Sequence, residues 1–320
     1  MEYLILILAL IGIVIGADQL VAGSVQIARR YKVSDFVIGA AIVGIGTSMP
    51  ELTVSFIGAL EGNSAVAIGN VVGSNIFNVL GILGLTALFF PVAVTKDNLR
   101  FEIPVCIGVS VLLTLLTFNL SNPGESSLGR VDGLILLAVF ACFMWYSFYR
   151  DRHGKVTSDH KVKTTKNEPQ SPLWLSLIKV VGGLAVLILS CDLFVNNAVV
   201  IARKLGLSDA FISITLIACG TSLPELAASI TAAFRKNTQL ALGNVIGSNI
   251  FNICLILGLS SQVTPLSSPG ITLIDYLVMT GAAVLVILLG VKGRISRIGG
   301  ALLAVLFVAY NWYLLSGQLT

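Results

Sequence analysis

Charge is scarce in this sequence. Asp, Glu, Lys and Arg supply 11% of its 320 residues, and apolar residues supply 56%. Soluble proteins carry about 25% charged residues. So little charge cannot coat a water-facing surface of this size, which excludes the two soluble domains that length alone would allow. Histidine is nearly absent: His153 and His160 are the two copies, and both fall in one polar stretch, where they read as solvated loop residues rather than metal ligands. The five cysteines, Cys106, Cys142, Cys191, Cys219 and Cys254, form no C-x-x-C and lie in apolar runs. They read as small core residues, not disulfides or metal ligands. No basic region and no cleavage site accompany the first apolar run, so it reads as a retained span rather than a signal peptide. No Ser/His or paired-Asp constellation is found, so an intramembrane hydrolase, or any enzyme, is not expected. The net charge of +4 does not point to nucleic acid, because the charges collect in loops.

What is abundant is apolar sequence in long stretches. A helix needs roughly 20 mostly apolar residues to cross a hydrocarbon core of about 30 Å. Ten such stretches stand near 3–27, 36–60, 64–89, 101–120, 130–149, 173–200, 209–234, 238–260, 271–290 and 297–316. The expected fold is an all-α integral membrane protein, with the lipid bilayer as its surroundings and no obligate protein partner, functional as a monomer.

The chain is also written twice. Residues 16–92 align with 190–266 at a constant offset of 174, and 33 of those 77 positions are identical. Gly46-Thr47-Ser48-Met49-Pro50-Glu51-Leu52 recurs as Gly220-Thr221-Ser222-Leu223-Pro224-Glu225-Leu226. Gly69-Asn70-Val71-Val72-Gly73-Ser74-Asn75-Ile76-Phe77-Asn78 recurs as Gly243-Asn244-Val245-Ile246-Gly247-Ser248-Asn249-Ile250-Phe251-Asn252. Each half holds five spans. Five is odd, so the second half enters the membrane from the opposite side, giving two inverted five-helix repeats of the kind found in secondary transporters. The expected organisation is a first repeat over 1–149 with its motifs in 39–85, a cytoplasmic linker over 150–172, and a second repeat over 173–320 with its motifs in 213–259. With the linker inside, 16 of the 20 Lys and Arg fall on the cytoplasmic side, as the positive-inside rule requires. Both termini are then extracellular or periplasmic, and the protein is expected in the cell membrane.

Glu51 and Glu225 stand near the middle of the second and seventh spans. A carboxylate at membrane depth costs several kcal/mol unless it is paired, hydrated or functional. Pro50 and Pro224 each remove a backbone donor, and Gly46 and Gly220 loosen the chain before them. These spans are expected to be broken helices, whose freed carbonyls are tolerated only inside protein or beside a wet cavity. Freed carbonyls, the hydroxyls of Thr47, Ser48, Thr221 and Ser222, and a carboxylate are all oxygen donors suited to a hard cation. A second reading stays open: Ser48 and Glu51 also fit a capping box.

In the third and eighth spans Asn70, Ser74 and Asn78, and Asn244, Ser248 and Asn252, recur every four residues along one helix face. Ser74, Asn78, Ser248 and Asn252 are candidate ligands, while Asn70 and Asn244 are assigned to helix packing; all of them could instead only join helices. Gly69 and Gly73, and Gly243 and Gly247, form a G-x-x-x-G that admits a neighbouring helix. Asp18 and Asp192, in the first and sixth spans, line an ion path, pair with a neighbouring helix or face a wet vestibule. Two ionised glutamates balance one Ca²⁺, which takes 6–8 oxygen ligands in flexible geometry. Zinc, copper and iron favour other ligands. The transported ions are expected to be inorganic cations, Ca²⁺ and Na⁺, and no cofactor is expected. A Ca²⁺/H⁺ antiporter and a cation channel are the competing readings.

The doubled Gly-Thr-Ser-x-Pro-Glu and Gly-Asn-x-x-Gly-Ser-Asn-Ile-Phe-Asn resemble the two α-repeats of the sodium/calcium exchanger family, in its compact prokaryotic form. The resemblance implies antiport by alternating access, with the first and sixth helices sliding past the others. It implies a ligand set of Glu51, Glu225, Thr47, Ser48, Thr221, Ser222, Ser74, Asn78, Ser248 and Asn252, with carbonyls near Gly44 and Ala218. Some members carry Asp at the position of Asn78 or Asn252; this chain has Asn at both.

Overall fold

The computed structural model describes residues 2–118, 127–153, 172–204, 220–267 and 270–318. Its helices are α1 (Glu2–Tyr31), α2 (Asp35–Thr47), α3 (Met49–Leu60), α4 (Ser64–Phe89), α5 (Asn98–Thr117), α6 (Arg130–His153), α7 (Leu173–Lys204), α8 (Leu223–Phe234), α9 (Thr238–Val263), α10 (Leu273–Gly290) and α11 (Arg297–Gln318). Among the described residues, eight helices are long and apolar enough to cross a membrane, or nine when the bent pair α2–α3 counts as one span. The remaining expected span, the seventh, near 209–234, is described only from Gly220 onward, with α8 inside it.

Burial sorts these helices. The apolar windows of α4 and α9 are 78% and 94% buried, against 17–39% for the other six. A helix that is apolar all round and still open on one side belongs against lipid. Ile7 and Val14 on α1, Trp145 on α6, Ile178 and Leu189 on α7, and Val305 and Trp312 on α11 carry that open face. Cys142 lies on it too, so it is exposed rather than the core residue its apolar run suggested. Cys106, Cys191 and Cys254 are buried free thiols, and Cys219 lies outside the described residues.

The chain divides into two compact units: 1–50 with 142–247, and 51–141 with 248–320. In the first, α1 and α7 run antiparallel. Gly12 meets Ser190, Gly16 meets Gly183 and Leu187, and Gly23 meets Ser176, so positions rise along one helix as they fall along the other. A Cβ on Gly16 would stand 2.6 Å from the Leu187 nitrogen, and one on Gly183 2.6 Å from the Leu20 nitrogen. Only glycine lets these backbones touch. The start of α9 packs as closely on α2 in the same unit, with Gly243 on the Phe36 backbone and Gly247 on Ala40.

Among the described residues of the second unit, four two-residue strands pair reciprocally. β1 (Val92–Ala93) follows α4 and pairs antiparallel with β4 (Arg294–Ile295), which precedes α11. β2 (Ser127–Leu128) precedes α6 and pairs antiparallel with β3 (Leu266–Ser267), which follows α9. The helices repeat the exchange: Gly84 of α4 meets Gly300 of α11, and Gly258 of α9 meets Gly133 of α6. Gly84 and Gly258 are 174 positions apart, so each copy of the repeat is braced by the fifth helix of the other half.

Candidate ion site

The break in the first half falls where the sequence places it. α2 ends at Thr47, Ser48 has φ −83° and ψ 10°, and α3 leaves at 48° to α2. Pro50 has no N–H for the carbonyl one turn back, and its ring crowds that carbonyl. The second half has the same local form: Ser222 caps α8 with φ −92° and ψ 8°, and Pro224 occupies its first turn. The side chain of Ser222 makes no capping hydrogen bond, so no capping box forms in this copy.

In the first unit the break gathers four predicted residues. Ser48 Oγ donates to Glu225 Oε1 at 2.7 Å. Glu225 is fully buried, and its Oε2 has no hydrogen-bond partner among the described residues. Asn244 Nδ2 donates to the Glu225 carbonyl at 3.1 Å and to Ser229 Oγ at 2.9 Å. Thr47 Oγ1 lies 3.2 Å from Asn244 Oδ1 and 3.0 Å from the Val43 carbonyl. Gly44 is buried beside it. A Cβ on Gly46 would stand 2.9 Å from Leu184 of α7, and one on Gly220 3.2 Å from Val195 of the same helix. Thr221 is partly buried and Ser222 buried; Ala218 lies outside the described residues.

The second unit holds the other glutamate. Glu51 is fully buried, with Ser74 Oγ 3.5 Å from its Oε1. Asn70 Nδ2 donates to the Glu51 carbonyl at 3.2 Å and to Ser55 Oγ at 3.0 Å. Asn78, Asn252 and Ser248 are fully buried. The amide oxygens Oδ1 of Asn78 and Asn252 have no hydrogen-bond partner among the described residues. Both asparagines sit in π-helical turns, Phe77–Leu83 and Asn252–Ile256. Such turns insert one residue into an α-helix and often mark functional sites.

Two residues that sequence reasoning passed over hold these asparagines. Asn78 Nδ2 donates to Asn249 Oδ1 at 3.0 Å, and Asn252 Nδ2 donates to Asn75 Oδ1 at 3.0 Å. Asn75 and Asn249 lie one residue past the predicted serines and so off the face that the four-residue spacing selects. The signal that could have found them is their identity in both copies of the repeat, as amides inside an apolar helix.

Other expectations resolve differently. Asp18 is paired: Arg235, at the end of α8, donates Nε to Asp18 Oδ1 at 2.8 Å. Asp192 is exposed. Among the described residues a Cβ on Gly69 would touch only Ile271, at 3.5 Å, and one on Gly73 would meet nothing within 4 Å, unlike Gly243 and Gly247. The counterpart of the α2 stretch that packs on Gly243 and Gly247 is 210–214, outside the described residues. No group of three or more His, Cys, Asp or Glu side chains comes together among the described residues. The donors here are therefore lone carboxylates among hydroxyls and amides.

The family model described as "Sodium/calcium exchanger protein" matches residues 1–149 and 175–316. The chain belongs to the sodium/calcium exchanger family. Within that family it is 38% identical over 320 residues to the proposed antiporter CaxA of Alkalimonas amylolytica, covering 97% of this chain and 98% of that one. It is 33% identical over 339 residues to the sodium/calcium exchanger MaX1 of Methanosarcina acetivorans, covering 97% of each. A solved structure of the sodium-calcium exchanger NCX_Mj, soaked with zero Na⁺ and Ca²⁺, superposes with a TM-score of 0.83 at 32% identity over 98% of each chain. This exchanger-family chain is thus a multi-span membrane protein of the compact prokaryotic size.

Proposed function

We propose that the protein is a secondary antiporter that exchanges Ca²⁺ for Na⁺ by alternating access. Ten transmembrane helices form two inverted repeats, the 150–172 linker is cytoplasmic, and both termini lie on the opposite side. The antiparallel course of α1 and α7, the first helices of the two halves, supports this threading. The ligands are Glu51, Glu225, Thr47, Ser48, Thr221, Ser222, Ser74, Asn78, Ser248 and Asn252, with the carbonyls near Gly44 and Ala218.

One observation carries the reading. Glu225 Oε2, Asn78 Oδ1 and Asn252 Oδ1 are buried oxygens with no protein donor among the described residues. An oxygen buried without a donor costs about 1–3 kcal/mol, more for a charged group. A hard cation repays that cost, whereas a helix-packing role leaves it standing. Oxygens of this kind coordinate Ca²⁺ at 6–8 positions and also suit Na⁺. Competition for shared carboxylates is then the basis of exchange.

The test is transport by the purified chain in liposomes loaded with Na⁺ and diluted into Na⁺-free buffer with labelled Ca²⁺. Exchange gives uptake that needs the Na⁺ gradient and disappears in Glu51→Gln and in Glu225→Gln. Uptake driven equally by a pH gradient without Na⁺ refutes Na⁺ coupling in favour of protons. Conductive flux that ignores either gradient refutes antiport.

A further inference from the structure

Four buried asparagines in the second unit form a closed brace. Asn75 and Asn249 each donate Nδ2 to the other's backbone carbonyl, both at 3.2 Å. Each then presents Oδ1 to the side-chain amide of the opposite half: Asn249 accepts from Asn78 and Asn75 from Asn252, both at 3.0 Å. All four residues are at most 2% exposed. The amide nitrogens of Asn78 and Asn252 are committed to these bonds, and their oxygens have no donor among the described residues.

We propose that Asn75 and Asn249 are positioning residues for ion exchange: crosswise, each fixes the other half's ligand asparagine with its oxygen, and not its NH₂, directed at the cation. This rests on the reading of Asn78 and Asn252 as ligands. A carboxamide can turn end for end about its last torsion, and the turned form points two N–H groups at a cation. In a buried site that error is repulsive, and the two orientations are otherwise nearly equal in shape. The brace removes the turned form, because it would set Asn78 Oδ1 against Asn249 Oδ1. Asn249 cannot turn in compensation: its Nδ2 is held by the Asn75 carbonyl, and turning would set oxygen against oxygen there. The same logic holds for Asn252 and Asn75.

The brace also sets the charge of the site. An ionised Asp at 78 or 252 has no N–H to give Asn249 or Asn75, so it places two acceptors face to face. The brace thus selects a neutral amide at both positions and leaves the negative charge of the ligand set to Glu51 and Glu225. The neutral amides at 78 and 252 are then one design with Asn75 and Asn249.

The experiment is a double-mutant cycle on the full chain, reading the Ca²⁺ concentration for half-maximal Na⁺-driven uptake in liposomes and equilibrium binding of labelled Ca²⁺ in detergent. Asn249→Ala is expected to raise the half-maximal concentration and the dissociation constant about tenfold each, as loss of one orienting hydrogen bond does. In an Asn78→Ala background it should add less than about twofold, yet keep its full effect in an Asn252→Ala background. Asn75→Ala should show the mirror pattern, coupling to Asn252 and not to Asn78. A merely structural role lowers thermal stability and yield without this crosswise coupling. If alanine variants do not survive purification, Asn249→Ser and Asn75→Ser take their place. Additive effects in both backgrounds, or unchanged affinities in the Asn75 and Asn249 variants while Asn78→Ala and Asn252→Ala are weakened, overturn the brace alone. Unchanged affinities in Asn78→Ala and Asn252→Ala overturn the ligand reading as well.

Discussion

Asn70 and Asn244 occupy one place in two copies of a motif, and they make the same bonds. Each donates to the backbone carbonyl of a glutamate, Glu51 or Glu225, and to the serine four residues beyond it, Ser55 or Ser229. One set lies in each compact unit. Asp18 and Asp192 also occupy one place in two copies, but there the halves part. Asp18 is paired with Arg235, whereas Asp192 is exposed, and the residue 174 positions before Arg235 is Glu61, of the opposite charge. Close to the glutamates, duplication in sequence is duplication in structure. Toward the helix ends the copies have been free to diverge, because a partly exposed charge there costs little to change.

The largest effects should fall equally on the two halves. Glu51→Gln and Glu225→Gln should each reduce Na⁺-driven Ca²⁺ uptake to background. Neither should lower the melting temperature, since an amide buries more cheaply than a carboxylate. Thermal unfolding in detergent, run beside the transport assay, checks both parts. A variant that keeps half its uptake would make its half dispensable and end the equality. Asn70→Ala and Asn244→Ala come next. Each strips a donor from a buried hydroxyl and a carbonyl, so each should cost about 2 kcal/mol of stability. Costs that differ by more than about 1 kcal/mol would show that the shared bonds do unequal work.

The outline of this comparison was legible in the sequence because its causes are local or statistical. Low charge forces the chain into lipid, identity at a fixed offset exposes the repeat, and Pro50 and Pro224 mark the breaks. What was not legible depends on which side of a helix faces which neighbour. Asn75 stands one residue past Ser74, about 100° further round the helix, so a face counted in fours from Ser74 misses it, although it receives Asn252. Cys142 sits in an apolar run like its fellows, but in lipid an apolar run faces outward as readily as inward. Asp18 could be placed in its span, yet its partner is 217 positions away and no spacing rule reaches that far.

A third comparison concerns the paired G-x-x-x-G. Gly247→Ala drives a methyl into Ala40 and should cost about 1–3 kcal/mol. Gly73→Ala meets nothing within 4 Å among the described residues, and alanine favours a helix by about 1 kcal/mol over glycine. It should therefore be neutral or stabilising in the same thermal assay. A loss equal to that of Gly247→Ala would mean that Gly73 is packed as tightly as Gly247, and that the halves are alike here too.

The smallest effect is the one that divides the halves most cleanly. The Asp18–Arg235 pair is exposed by about two-fifths on each side, 41% and 42%. An ion pair this open that meets water is worth only about 0.2–1 kcal/mol and is weakened by salt. Asp18→Asn and Arg235→Gln should each cost no more than that, and the double variant no more than either alone. Asp192→Asn should cost nothing, since nothing described pairs with it. A double-mutant cycle of Asp18 with Arg235, at low and high salt, reads the natural pair. A coupling that vanishes at high salt fixes the bond that sets Asp18 apart from Asp192 as one of charge; a coupling of zero at low salt would erase the difference.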